Sequence, residues 1–337
     1  MPDLIYPKNY ELTLIAQELM PRLEQDRPIF QYFPTETLDT GILMWEQEDD
    51  WTGLQYARGM NGQPTRIKKL GGKRFQMQPG FYGEYEFINE EEMTMRRQFG
   101  TVNTPVNITD LVARSNARLL GREVDRKEAL LWTLMTTGTF SVQGPTGALV
   151  HTDVFPLQTM TPTTPWSTRA TATPLADLQA LALLARGHSV NFGTGCSIWV
   201  NQTTANNIVG NQNQNDLAGR RLGLGTTNNL RDVNTILTGD GLANFNVYDQ
   251  GYKDETGTFQ LFIPNGKAVA IGQRPAGQRI GEYRILRNVN NADFSAGSYS
   301  KVIDHVDDAV PRTVEVHRGH NGGPVIYFPS AIVIMNV

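Results

Sequence analysis

The chain has 337 residues, of which 39% are hydrophobic and 19% charged, and it carries a net charge of −4 at neutral pH. A length of this order predicts about two domains of ~150 residues each, and an acidic balance with a pI near 5.8 excludes a protein whose main task is to clamp or read a phosphate backbone, which needs a basic face. Cys196, the only cysteine, excludes an intrachain disulfide and a cysteine-built metal cage.

No basic segment followed by an apolar core opens the chain, and no run approaches the ~20 apolar residues of a spanning helix. A soluble protein made in the cytosol, with no membrane partner, is therefore expected.

In the opening segment Leu12, Ile15 and Leu19 recur at helical spacing, and Pro21 is expected to end that helix. Extended, proline-marked chain follows through Arg27-Pro28 and Phe33-Pro34 to Met44-Trp45. Its aromatics look exposed, as on an arm that lies on a neighbour. From Trp45 to Glu92 the pattern turns to strands and turns. Glu46-Gln47-Glu48-Asp49-Asp50 is acidic, Asn61-Gly62 and Gly71-Gly72 are turn signals, and Arg66, Lys68, Lys69, Lys73 and Arg74 gather around the second turn. A two-stranded excursion of this length buries no face of its own and is expected to rest on another subunit, its acidic and basic stretches pairing there or staying solvated.

Ile108-Thr109-Asp110 opens the strongest helix, with Thr109 as N-cap, Asp110 at the positive end and Gly138 as the stop. Its apolar stripe is Leu111, Val112, Leu119, Leu120, Val124, Leu130, Leu131 and Leu134. Arg114, Arg118, Arg122 and Arg126 recur every fourth residue on another side, the pattern of a solvated or salt-bridged face. At 1.5 Å per residue the span reaches roughly 42 Å, the length of a structural beam.

A strand over Thr139–Val142 and a Thr/Pro-rich stretch, Gln158–Thr173, mark a boundary. Thr173-Pro174 starts a second helix that Gly187 closes. Cys196–Val200 reads as a buried strand followed by a polar helical piece, Gln202–Val209. Gly210–Gly241, rich in Asn, Gln and Gly, is expected to be a long loop or short hairpin. Later strands are expected at Phe245–Tyr248, Phe259–Ile263, Lys267–Ile271, Tyr283–Leu286, Arg312–His317 and Ala331–Val337. The pattern is α+β.

Chemistry-bearing motifs are few. Gly193-Thr-Gly195 and Gly223-Leu-Gly225 lack the strand, the third glycine and the lysine of nucleotide loops and read as turns. Cys196 with His188 as base is the one nucleophile pair on offer, but an apolar strand makes an inert thiol the better reading. Asp304, His305, Asp307 and Asp308 crowd into five residues, as in a solvated turn or a weak metal cluster. His317 and His320 flank a Gly-rich corner, Glu90-Glu91-Glu92 reads as solvated surface, and no nucleophile elbow occurs. Catalytic, cofactor-binding and metal-binding residues are therefore all assigned as none, and a non-enzyme is expected.

The order of parts resembles the phage capsid fold named for bacteriophage Hong Kong 97. Several stretches are similar, more narrowly, to the lambda capsid-protein-E family: Ile108-Thr-Asp-Leu-Val-Ala-Arg114, Ser197-Ile-Trp-Val-Asn201, Phe245-Asn-Val-Tyr-Asp249, Phe262-Ile-Pro-Asn-Gly-Lys-Ala-Val-Ala-Ile271 and Pro329-Ser-Ala-Ile-Val-Ile-Met-Asn-Val337. The resemblance covers nearly the whole chain, and its specificity lies in the order of the pieces. It implies an N-terminal arm over 1–44, an extended loop over 45–92, a peripheral domain over 93–172 with its spine helix at 109–137, an axial domain over 173–271, a return to the peripheral domain over 272–319 and C-terminal strands over 320–337 completing the axial domain.

The same resemblance implies a major head protein that assembles into hexamers and pentamers around double-stranded DNA without sequence-specific contact. It further implies a separate scaffold protein, a portal, a decoration protein capturing the expanded shell, and assembly in the host cytoplasm. Some relatives cross-link loop lysines to asparagines. Lys68, Lys69 and Lys73 lie in the matching region, but nothing marks one of them as activated. Two alternatives stand beside this reading: an encapsulin-type compartment enclosing protein cargo, and a soluble hydrolase with a metal at Asp304, His305 and Asp307.

Overall fold

Pro21 does not end the first helix. In the computed structural model, α1 runs from Asn9 to Gln25 with Pro21 inside it, because its last turn is tied down from outside: Met20 is buried and Glu24 accepts hydrogen bonds from Lys127 and Thr35. The structure describes residues 9–48, 54–67, 71–95, 107–144, 147–213, 229–254, 257–274, 278–291, 294–305 and 312–337.

After α1 come a single turn, α2 (Ile29–Tyr32), and a short strand, β1 (Thr35–Thr37). Ile29, Phe30 and Phe33 are buried, which corrects the expectation of exposed aromatics; this half of the arm is packed into the chain's own body. Next are β2 (Leu43–Glu48), β3 (Gly72–Met77), β4 (Gly80–Ile88) and α3 (Glu90–Met95), in which no residue is buried. The excursion is shorter than expected. β2 and β3 pair with each other alone, while β4 joins a larger sheet, because its alternate residues find partners there.

The long helix α4 (Ile108–Thr137) starts one residue before the expected cap. Asn107, not Thr109, supplies the capping side chain: its Oδ1 accepts from the Thr109 backbone N–H at 3.3 Å and its carbonyl accepts from Leu111. At the other end Gly138 adopts φ +75° and donates to the Leu134 carbonyl at 2.8 Å, a left-handed stop that a side chain would strain. All eight residues of the expected apolar stripe are buried.

The chain continues through β5 (Thr139–Gln143), β6 (Leu149–Val154), β7 (Gln158–Met160), α5 (Pro174–Leu183), β8 (Ser197–Val200) and α6 (Gln202–Val209). Asn201 caps α6, accepting from the Thr204 N–H at 2.8 Å. Within the expected Gly210–Gly241 loop lies a helix, Leu230–Gly239, capped by Asn229 and stopped at Gly241, φ +72°. Its buried Val233, Ile236 and Leu237 lie at helical spacing, a signal masked by the polar composition around it. The remaining strands are β9 (Asn244–Val247), β10 (Gly251–Lys253), β11 (Phe259–Leu261), β12 (Lys267–Ile271), β13 (Gly281–Ile285), β14 (Tyr299–Asp304), β15 (Val314–Ile326) and β16 (Ile332–Asn336). β14 was not anticipated, and β15 continues nine residues past His317.

The chain divides into two compact units. The first comprises Met1–Leu43, Gln76–Glu128 and Glu282–Val325. Its sheet has the order β1-β13-β15-β14, with β4 on the other edge of β15. Val314–Gly319 of β15 thus pair with β14 on one side and with β4 on the other. Leu12, Ile88, Leu111, Val112, Leu119, Val314 and Val316 form its apolar core, each fully buried side chain contributing roughly 1.5–3 kcal/mol.

The second unit comprises Met44–Phe75, Ala129–Gly281 and Ile326–Val337, with the mixed sheet β7-β16-β12-β8-β9. β12 is its centre and reads as an unbroken apolar run, Ala268 to Ile271, all buried. Trp132, Trp199, Tyr248 and Phe262 pack ring against ring, partly stacked and partly edge to face, with centroid separations of 5.6 to 6.3 Å. In the same unit Trp45 is sandwiched between Phe75 and Phe155, at 5.4 and 5.9 Å.

Candidate functional site

Two features of the first unit stand out from its apolar packing. The first is the arginine face of α4. Arg118 pairs with Glu86, and Arg122 forms a two-pronged contact with Glu84 at 2.5 and 2.9 Å. Glu84 and Glu86 are alternate residues of β4, so strand and helix periodicities match along the pair. The hydrogen bond from Arg122 holds the Glu84 carboxyl below its usual range. The expected salt-bridged face is what forms, and these two arginines are committed to their own chain.

The second is a buried polar cluster beneath it. Lys127 is fully buried, and its Nζ lies 3.1 Å from Glu24 Oε1, 2.9 Å from Met20 Sδ and 3.7 Å from Glu123 Oε1. Glu123 in turn accepts from Arg318 Nε at 2.6 Å and from Ser298 Oγ at 2.5 Å. His320 places Nδ1 3.5 Å from Glu123 Oε1, and its Nε2 lies 3.0 Å from the Tyr283 hydroxyl. Nearby, Arg27 bridges Asp125 at 2.6 Å and Glu128 at 2.5 Å.

Burial pushes the Glu123 carboxyl up, but Lys127, His320, Arg318 and Ser298 outweigh it and hold the group at about 2. Burial pushes the His320 imidazole down, and Lys127, Arg318 and Arg126 reinforce this against Glu123, leaving it at about 4. At neutral pH the cluster is a carboxylate held by two cations and a neutral imidazole. It joins α1, α4, β13, β15 and Ser298, just ahead of β14, within this unit. Four tied polar groups cost more to misplace than apolar ones, so the cluster favours one packing of these elements.

Among the described residues the weak catalytic candidates are not assembled into a site. Cys196 is buried and its thiol is pushed up to about 12 by burial, which leaves it inert. Gly193–Cys196 is a turn, with Cys196 donating to the Gly193 carbonyl at 2.9 Å. Asp304 is taken by Arg312 at 2.6 Å, and His305 faces Glu315 at 3.6 Å, with His317 on the other oxygen at 2.7 Å. Asp307, Asp308, Gly223 and Gly225 lie outside the described residues, as do Lys68 and Lys69. Among the described residues no group of three His, Cys, Asp or Glu side chains is arranged to hold a metal, and no helix is long and apolar enough to cross a membrane.

In the second unit the segment between β2 and β3 projects apolar side chains without covering them. Leu54 is 92% exposed and Met60 96%, with Tyr56 and Ile67 also exposed. A turn at Gly59–Gly62 closes on a 3.0 Å backbone bond. At the base, Arg74 reaches Glu46 at 2.6 Å across the β2–β3 pair, so one of the expected acidic–basic pairings is made within the chain.

No curated protein sequence matches the chain. Among solved structures, a prophage protein of E. coli CFT073 described as a capsid protein is 15% identical, with a TM-score of 0.59 over 96% of this chain and 98% of that one. A phage-related protein from Bordetella bronchiseptica RB50 is 9% identical, with a TM-score of 0.53 over 95% and 96%. At such identities the likeness shows the fold, which is that of the Hong Kong 97-like capsid proteins. The family described as phage major capsid protein E matches residues 25–294, more than half of the sequence, and the chain belongs to that phage major capsid protein family.

Proposed function

We propose that the chain is the head subunit that assembles into hexamers and pentamers and closes an icosahedral shell around the double-stranded DNA of a tailed phage. The observation that carries this beyond family membership is the projecting segment between β2 and β3. Leu54, Tyr56, Met60 and Ile67 on a segment with no core of its own are costly in water and favourable against a neighbour, at roughly 25 cal/mol per Å² buried. In this reading the segment 54–67 reaches over an adjacent subunit, α4 is the spine of a peripheral domain to which 282–325 return, and 173–271 with 326–337 form the axial domain around each capsomer centre.

The shell holds by many repeated weak contacts whose sum is large. Such work needs no catalytic centre, and the acidic chain encloses DNA without reading it. Its partners are further copies of itself, a scaffold, a portal at one vertex and a decoration protein. It is assembled in the host cytoplasm and ends in the virion.

The test is negative-stain microscopy with light scattering on the purified protein and on a variant in which residues 54–67 are replaced by a short Gly/Ser turn. Closed particles of megadalton mass, lost or malformed in the variant, are the expected result. A small oligomer indifferent to the replacement would overturn the reading, and shells packed with protein in place of nucleic acid would redirect it to a cargo compartment.

A further inference from the structure

In the first unit β4 pairs with β15 along all nine of its residues in unbroken register, from Gly80 opposite Gly322 to Ile88 opposite Val314. Its other side has no strand partner among the described residues. Which peptide groups it turns to that side follows from β15. His305 donates to the Thr313 carbonyl at 3.0 Å, one step beyond the Asp304–Val314 pair, and Leu286 of β13's edge donates to Asn321 at 2.7 Å. The odd-numbered residues of β15 therefore bond toward β14 and β13, and the even-numbered ones toward β4. Through the register, the even-numbered residues of β4 bond inward. Phe81, Gly83, Tyr85 and Phe87, all exposed, turn their N–H and C=O groups to the open edge.

The side chains alternate in the same way. Glu84 and Glu86 meet the arginines of α4, and Ile88 lies in the core. Phe81, Tyr85 and Phe87 stand on the opposite face of the sheet, 64%, 60% and 48% exposed. An unpaired edge with neither proline nor lysine, flanked by an aromatic row, is suited to accept an added strand.

Residues 54–58 carry the matching deficiency. All five are exposed, and their backbone makes no hydrogen bond among the described residues. Leu54 and Tyr56 alternate with Gln55 and Ala57, so in extended form the two large apolar side chains share one face. The charges are complementary as well. Residues 54–67 contain Arg58 and Arg66 and no acid, whereas residues 80–95 contain Glu84, Glu86, Glu90, Glu91 and Glu92 and no Lys or Arg. Pairing of either stretch with its own copy would set like charges against each other.

We infer that residues 54–58 of one copy add as a strand to the open edge of β4 in a neighbouring copy, with Leu54 and Tyr56 on the aromatic face and Gln55 and Ala57 on the side of Glu84 and Glu86. The inference rests on the shell reading above and says where the projecting segment lands. Five added residues are too few for a stable free-standing interface, so the contact forms in the assembled shell and acts by repetition.

Cysteine pairs test the contact. Tyr56→Cys is combined in one chain with Phe81→Cys, with Tyr85→Cys or with Phe87→Cys, which together cover the registers that place Tyr56 on the aromatic face. Tyr56→Cys/Lys301→Cys is the control. Lys301 is exposed and lies in the same row of the sheet as Tyr85, across His317, but three strand spacings from the added strand, roughly 14 Å, which is beyond a disulfide. The native Cys196 is buried and takes no part.

Mild oxidation of assembled particles should convert most of at least one β4 pair to disulfide-linked multimers on a non-reducing gel and leave the Lys301 pair monomeric. Intact particles without multimers, a link confined to single chains, or equal multimers from the Lys301 pair overturn the strand addition and leave the shell reading standing. If the variants do not assemble, hydrogen exchange on the unmodified protein decides: the amides of Phe81, Gly83, Tyr85 and Phe87 should slow by about tenfold or more between free subunit and shell, and unchanged exchange overturns the addition. An unmodified chain that forms no shells overturns the shell reading, and the strand addition with it.

Discussion

Glu123 is the residue on which the buried cluster turns, because it is the common acceptor for Arg318 and Ser298 and the nearest carboxylate to His320. Glu123→Gln keeps the shape and removes the charge, stranding Arg318 and leaving Lys127 with Glu24. Breaking a buried pair in this way costs about 3–5 kcal/mol, so the urea midpoint of the variant should fall steeply at fixed protein concentration; a shift within error would mean that the cluster is not stabilising.

His320 sets a pH dependence of its own. Its folded pKa, about 4, lies below the ~6.5 of a free imidazole, so between these values the unfolded chain binds a proton that the folded one refuses. Stability is complete above pH 6.5, falls as the pH drops toward 4 by on the order of 3 kcal/mol, and loses nothing further from this residue below that. Glu123 adds a second loss between ~4.5 and its folded value of about 2. Urea midpoints measured from pH 7 to 4 should slope downward on acidification, and His320→Asn should flatten the slope; an unchanged slope in the variant would assign it elsewhere.

At the scale of elements, α4 is set by its ends and by two stripes. Asn107→Ala removes the acceptor for the Thr109 N–H and should lower stability by about 1 kcal/mol. Gly138→Ala forces a side chain into φ +75°, at a cost of about 1–2 kcal/mol, although the added methyl meets only ordinary contacts at 3.5 Å or more. Thermal melting of both variants measures this, and a Gly138 effect much smaller than the Asn107 one would mean that the stop is set by packing and not by backbone strain.

The helix, its apolar stripe, its glycine stop and its arginine face were legible in the sequence because each follows from a 3.6-residue period. The cap was misplaced by two residues, since Asn107 and Thr109 are both capping types and the backbone decides between them. Glu123 and Lys127 had a signal that went unread: they lie in phase with Leu120, Val124, Leu131 and Leu134, inside the apolar stripe, where charges four apart signify burial with a partner. Pro21 was misread for the opposite reason. Local preference ends a helix there, and the Lys127–Glu24 contact, 103 residues away in sequence, sustains it.

For the whole molecule, the surfaces matter more than the core. Leu54, Met60, Val150 and Val154 stand in water, apolar area of the kind that assembly covers. The sequence by itself determined the α+β class, the beam helix, the apolar runs of β8, β12 and β16, the absence of recognisable nucleotide and nucleophile motifs, and the family, because these depend on local period, residue type and order. Only the tertiary structure decided that β4 leaves the excursion to join β15, that the arm's aromatics are buried, that the arginine face meets Glu84 and Glu86, and that a carboxylate, two cations and an imidazole from distant segments share one buried space. Those outcomes arise from contacts between residues far apart in the chain, whose free energy no local pattern encodes.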